Sequence, residues 1–509
     1  MSRTMRVPYR IAATSLAALV VLLGPAAWPA YADGSTPVGN PPVGPSVWEP
    51  PPLPANAPLP NNVGQAGSPD NPYTLGQNAA CIKSGVTEPL IQEPPAQDML
   101  NIADAQKIST GKGVTVAVID TGVYKHPMFG DRLINGGDYI QGDGNALQDC
   151  DGHGTIVAGI IAADTRGTPY KFIGVAPDAK ILAIRQTDGN FQFQNPSTNQ
   201  TLAAGDLKTL GEAIVYAASQ PDVKVITMSV DNCNPLADAL IPESTADGQA
   251  LQAAIRWAVD VKDKVVVAAA GNIPNGNTSD KSSTGQGGGA ASQSSDPCSA
   301  VPQNDNPDPN AVKQVEIPPA YADNVLSVAS VNPTTGNISP FSEWGPWVSV
   351  AAPGEQIISV DPAVGATMLT SQTVQNNQVT TLQGTSFAAP YVAGLAALIR
   401  AKYPNLSARQ VMYRIEATAQ HPSGPEGRNN QVGYGIINPV AALTALIPGQ
   451  NGVPEATTTS IRAQVPNGGA DDALPMRVAL IGIGGAALVL LAIYFVVRTS
   501  RDGRKQGSS

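Results

Sequence analysis

The chain has 509 residues, with 30 Lys plus Arg against 40 Asp plus Glu and a formal net charge of −10. That length holds one large domain or two ordinary ones. No basic patch stands outside the two ends, so the charge pattern offers nucleic acid no footprint.

The first ten residues, MSRTMRVPYR, carry Arg3, Arg6 and Arg10, and an apolar run follows over 11–28. Then comes PAYADG over 29–34, with Ala30 and Ala32 spaced for cleavage. Charged, apolar, then small is the order of a secretory signal, here residues 1–32, with a mature chain starting near Asp33. Pro25 and the small-residue site argue against an uncleaved anchor helix. Residues 33–99 form a proline-rich N-terminal extension, as in PPVGPSVWEPPPLPANAPLP over 41–60. Such a segment favours extended polyproline conformation and builds no core of its own. Trp48 and Cys81 suit an arm pinned across a neighbouring domain.

From residue 100 short apolar runs alternate with helical patterns. Strands are predicted over 114–119, 180–185, 223–230, 265–270 and 325–331. Helices are predicted over 155–163, 206–219, 248–263, 386–404 and 407–419. Strand–helix alternation with continuous Val/Ile/Ala strands implies a mainly parallel sheet covered on both faces. The expected unit is one α/β domain over 100–447. The polar, Gly/Ser-rich stretch 272–298 reads as a surface loop, and 361–383 reads as a hairpin leading to Ser386. Residues 448–477 read as a linker. Residues 478–497, VALIGIGGAALVLLAIYFVV, contain no charge or proline. As a helix they span roughly 30 Å, the thickness of a hydrocarbon core. Arg498, Arg501, Arg504 and Lys505 follow in the tail 498–509, and such residues stay on the cytoplasmic side. The expectation is a single-pass protein of the cell membrane whose body lies on the extracytoplasmic, periplasmic side.

The four cysteines, Cys81, Cys150, Cys233 and Cys298, fit an exported chain with two disulfides. Three connectivities exist. Cys81–Cys150 would tie the extension to the domain, and Cys233–Cys298 would close the Gly/Ser-rich loop. No pair has the CxxC spacing of a zinc site, so no metal is expected.

A serine hydroxyl becomes a nucleophile only with a base beside it, an acid behind the base and donors for the oxyanion. Ser386 stands in LQGTSFAAP over 382–390, after Gly384 and at the start of a helical pattern. The helix dipole and first-turn N–H groups favour negative charge there. Pro390 is read as a first-turn residue whose missing N–H costs little. Of three histidines, His126 and His421 precede prolines in turns and read as solvated. His153, flanked by glycines in DCDGHGT over 149–155, is the candidate base. Asp120 closes the apolar run VTVAVI over 114–119, where a carboxylate is costly unless paired. Asn272 follows VVVAAAG over 265–271 and offers a side-chain amide to the oxyanion, with the backbone N–H of Ser386.

DTG at Asp120, GHGT at His153, AAAGN at Asn272 and GTSFAAP at Ser386 resemble the four signature motifs of subtilisin-like serine proteases, in that family's order. The resemblance spans most of 100–420. It implies a three-layer subtilisin-like fold, Asp120 as orienting acid, His153 as general base, Ser386 as nucleophile and Asn272 in the oxyanion hole, with protein substrates and no cofactor. Ser229, Val230 and Asp231 match the family's substrate-binding strand. Asp231 and Asn232 replace the usual glycine-rich rim, which would favour basic residues or narrow the pocket to small ones. Ile156 stands where many members have a second histidine. The short extension is too poor in apolar residues to fold alone as an inhibitory pro-segment.

Signal, proline-rich extension, protease domain, linker, one membrane helix and a basic tail together resemble the mycosins, the membrane-anchored subtilases of type VII secretion systems. That resemblance implies attachment to the type VII secretion membrane complex, cleavage of selected exported proteins, and an extension that wraps the domain. A mainly structural role, with catalysis dispensable, is the alternative it leaves open.

Overall fold

The computed structural model describes residues 80–86, 88–141, 144–194, 201–229, 232–235, 245–273, 304, 312–423 and 427–450, with short pieces at 53–54, 57–60, 74–75, 488–496 and 498. Contacts divide the chain into residues 39–456 and a second unit of residues 1–38 and 457–509.

The larger unit is organised by a seven-stranded sheet, all of whose neighbouring pairs run parallel. Its strands are β1 (Thr115–Asp120), β2 (Leu133–Asp138), β3 (Lys180–Arg185), β4 (Val223–Met228), β5 (Val265–Ala269), β6 (Leu326–Val331) and β7 (Val348–Pro353). Across the sheet the order is β7-β6-β5-β4-β1-β3-β2. All residues of β1, β5, β6 and β7 are buried, so these strands do not alternate between apolar and charged positions, and β5 is apolar throughout.

Five helices dominate the rest: α1 (His153–Ala162), α2 (Leu207–Ser219), α3 (Ala246–Asp260), α4 (Thr385–Lys402) and α5 (Ala408–Ala417). α1 packs on α4, and α2 packs on α3. α4 is buried from Thr385 through Arg400, so it is apolar all round and carries charge only in its last turn. α2 and α5 start at capping boxes, Asp206 with Thr209 and Ser407 with Gln410, which satisfy first-turn donors on both sides of each cap. The sheet and both helix pairs are the three-layer α/β arrangement expected.

The five predicted strands and five predicted helices form, within a few residues at their ends. Two sheet strands escaped the reading. β2 has the sequence LINGGD and lies at an edge, where two glycines dilute the apolar pattern. β7 ends in Pro353 and lies at the other edge, where a missing N–H breaks no ladder. The hairpin expected over 361–383 is present as Gln372–Gln375 paired antiparallel with Gln378–Thr381. Its turn residues Asn376 and Asn377 have φ of 50° and 63°, the left-handed geometry of a tight two-residue hairpin turn.

The extension lies on the domain where it is described. Cys81 is disulfide-bonded to Cys150, as expected. The Ile82 N–H donates to the Cys150 carbonyl (2.9 Å), and Lys83–Ser84 adds a strand to Gln372–Gln375. Pro60 packs against Gly211 of α2. Cys233 lies in a strand, Asn232–Pro235, paired antiparallel with Gln314–Ile317. Cys298 lies outside the described residues, so the second expected pairing does too. The signal segment 1–32 is likewise outside them. Of the expected membrane span, residues 488–496 are helical and 478–487 lie outside the described residues. Among the described residues no helix is long and apolar enough to cross a membrane.

Candidate active site

Asp120 is the last residue of β1, His153 the first of α1 and Ser386 the second of α4. The fold brings these three chain-distant residues to one place. His153 Nδ1 lies 2.7 Å from Asp120 Oδ1, and His153 Nε2 lies 2.9 Å from Ser386 Oγ. All three are essentially buried. The Thr121 N–H donates to the same Asp120 oxygen at 2.8 Å, which fixes the carboxylate as an acceptor facing the imidazole.

The glycines around His153 have steric causes. Gly152, the N-cap of α1, has φ of 87°, and a Cβ there would come within 2.7 Å of Ile82 and 2.9 Å of Pro362. A Cβ on Gly154 would fall 2.1 Å from the Gly122 carbonyl oxygen and 3.0 Å from the Asp120 side chain. Glycine is what lets α1 approach the end of β1 closely enough for the imidazole to reach Asp120.

Asn272 follows Gly271, where φ of 107° turns the chain at the end of β5. Its Oδ1 accepts the Thr385 N–H at 2.9 Å. That anchor orients the amide at the start of α4 and leaves Nδ2 as its donor. Thr385 Oγ1 also donates to the Gly271 carbonyl at 3.1 Å, so the start of α4 and the end of β5 are tied twice. As the second residue of α4, Ser386 has no carbonyl four residues back within its helix to receive its N–H.

Pro390 corrects the sequence reading. It is the sixth residue of α4, inside the helix, and its missing N–H would have bonded the Ser386 carbonyl. That carbonyl instead accepts from Ser229 Oγ at 3.2 Å. Ser229 is thus buried with its hydroxyl committed to the backbone of Ser386. Val230 and Asp231 lie outside the described residues.

His126 is a second correction. It is buried, not solvated, and its Nδ1 accepts the Met128 N–H at 3.3 Å to cap the short helical turn Pro127–Arg132. Burial pushes its pKa down to about 4. His421 is exposed, as expected.

The electrostatics around His153 are acidic. Burial alone would lower its pKa, but Asp120, through charge and hydrogen bond, together with Asp151 and Asp149, outweighs burial and holds it above the usual 6.5. Burial in turn raises Asp151, and it pushes Asp149 and Asp188 up to about 7, with the charge of Asp151 adding to both. Asp149 and Asp151 flank Cys150 in the DCD triplet. Their acidity was visible in the sequence, but their closeness to the imidazole depends on how α1 meets β1.

A buried carboxylate, imidazole and hydroxyl in a hydrogen-bonded row, with a fixed amide at the hydroxyl, on an α/β sheet of this order, define a serine hydrolase of the subtilisin type. The Subtilase family profile matches residues 111–435, and the chain is a subtilisin-type serine endopeptidase. Within that class it belongs to the mycosins. It is 38% identical to Mycosin-3 of Mycobacterium tuberculosis strain H37Rv over 508 residues, covering 97% of this chain and 99% of that protein. It is 39% identical to Mycosin-1 of the same strain over 449 residues, covering 86% and 92%. Among solved structures it is similar to the MycP3 protease from the type VII (ESX-3) secretion system, with a TM-score of 0.63 and 36% identity over 78% of this chain and 99% of that one. It is also similar to a chain of an intact ESX-5 inner membrane complex, with a TM-score of 0.65 and 34% identity over 88% and 99%.

Proposed function

We propose that Ser386, His153 and Asp120 cleave peptide bonds in selected substrates of a type VII secretion system, outside the cytoplasmic membrane, and that the chain is held there by the apolar segment 478–497. The observation that carries the chemistry is the row Asp120–His153–Ser386, with contacts of 2.7 and 2.9 Å. Ser386 Oγ attacks the scissile carbonyl while its proton passes to His153 Nε2. Asp120 Oδ1 accepts the Nδ1–H and stabilises the imidazolium that forms. The carbonyl oxygen, now negative, is met by Asn272 Nδ2 and by the Ser386 N–H at the positive end of α4. His153 then returns the proton to the leaving amine. Water, deprotonated by the same imidazole, releases the acyl group. Ser229, Val230 and Asp231 would line the substrate's path to Ser386.

The secretion role rests on kinship with the mycosins and on likeness to a component of an ESX-5 inner membrane complex. The same likeness favours a second contribution, stabilising a secretion complex through the protease fold itself.

Replacing Ser386 with Ala separates the two. Cleavage of exported substrates should cease while assembly of the membrane complex persists. If the Ser386→Ala protein still cut its substrates, the nucleophile assignment would be wrong. If the complex dissociated with it, scaffolding would depend on the chemistry.

A further inference from the structure

Asp149 is 4% exposed, and both of its oxygens are fully engaged. Oδ1 accepts the Thr121 hydroxyl at 2.9 Å and the Gly152 N–H at 2.7 Å. Oδ2 accepts the Thr155 N–H at 2.9 Å and the Thr155 hydroxyl at 2.5 Å. Thr121 follows Asp120 at the end of β1, while Gly152 and Thr155 bracket His153 in α1.

The hydroxyl protons can be assigned. Thr121 Oγ1 accepts the Gly154 N–H at 2.9 Å, and Thr155 Oγ1 accepts the Tyr124 N–H at 2.7 Å. Each threonine therefore spends its acceptor side on the backbone and points its single proton at Asp149. Four donors converge on one carboxyl group, and only the ionised form accepts from all four without having to donate. Breaking one of these bonds frees a buried donor.

We propose that Asp149 is a positioning residue, which as a carboxylate registers the helix carrying His153 against the strand end carrying Asp120. It acts through Thr121, Gly152 and Thr155. Burial pushes its pKa up to about 7, so its charge, and with it the register, is lost on mild acidification. The charged groups bearing on this register are the carboxylates of Asp151 and Asp120 and the imidazole of His153.

The test uses the full-length chain and the rate at which a fluorophosphonate probe labels Ser386, which needs no knowledge of the natural substrate. Asp149→Asn keeps the volume but turns an NH₂ toward donors. Labelling should slow roughly 10- to 100-fold, the scale set by sub-ångström misplacement of reacting groups. The pH profile adds a readout that a merely structural role would not move. In the wild type the rate should fall with a slope approaching two protons below about pH 7, from His153 and Asp149 together. In Asp149→Asn it should fall with one. Thr121→Ser should label near the wild-type rate and Thr121→Val slowly, and adding Asp149→Asn to Thr121→Val should slow it little further. If Asp149→Asn does not fold, the Thr121 pair decides. Labelling within twofold of wild type in Thr121→Val, or in a folded Asp149→Asn, would overturn the proposal, as would a one-proton slope in the wild type.

Discussion

The Cys81–Cys150 bridge closes a sequence separation of 69 residues, which includes the last part of the extension and the strands β1 and β2. Chain-entropy bookkeeping for a loop of that size gives about 4 kcal/mol of stabilisation. Spread over an unfolding entropy of about 2 cal/mol/K per residue for a unit of this size, the loss corresponds to about 5 °C in melting temperature. The double variant Cys81→Ser, Cys150→Ser removes the bridge without a stray thiol. Melting followed by intrinsic fluorescence gives the shift. Hydrogen exchange should show the Ile82 amide and the Lys83–Ser84 strand losing protection first, since these share the bridge's neighbourhood. A melting temperature within 1 °C of wild type, on the same scale, would refute the reasoning. It would mean that the strand pairing and the packing of Ile82 and Pro60 already hold the extension, and that the bridge constrains little.

Asn272→Ala should lower kcat by about 10²–10³ and leave KM nearly unchanged, because the amide serves the oxyanion and not the ground state; an equal rise in KM would move Asn272 to substrate binding. The acid limb of kcat/KM should lie above pH 6.5, where His153 loses its proton in the folded enzyme. Asp151→Asn removes a carboxylate that favours the imidazolium, so it should move that limb to lower pH; a shift to higher pH would contradict the electrostatics described. Glu416 is buried, and burial raises its pKa from 4.5 to about 8. A carboxyl raised in this way contributes stability that is fully present below pH 4.5 and lost as pH rises through about 8. Glu416→Gln should therefore melt higher than wild type at pH 9 and equally at pH 4, and thermal scans at the two values decide it.

The parts of the molecule legible in its sequence are those where one local pattern has one physical cause. Strands buried in a parallel sheet are rich in Val, Ile and Ala, so β1, β3, β4, β5 and β6 were visible. Glycines on both sides of a lone histidine mean backbone pressed close, and Gly152 and Gly154 bear that out against Ile82, Pro362 and Gly122. What escaped are features whose cause lies far along the chain. His126 looks solvated beside its proline, yet residues from other segments bury it. Pro390 looks harmless at the start of a helix, yet its consequence is a carbonyl that only Ser229, 157 residues away, reveals by bonding to it. The acids of the DCD triplet give no local sign of their partners, yet Asp149 binds two threonines, one just after β1 and one in α1. In each case the local sequence states which group is unusual, and the partner that explains it is supplied by the fold. The motif residues of a protease site are therefore easier to read than the residues that hold them. The second group, here Asp149 with Thr121 and Thr155, is where substitutions should alter rate without touching substrate.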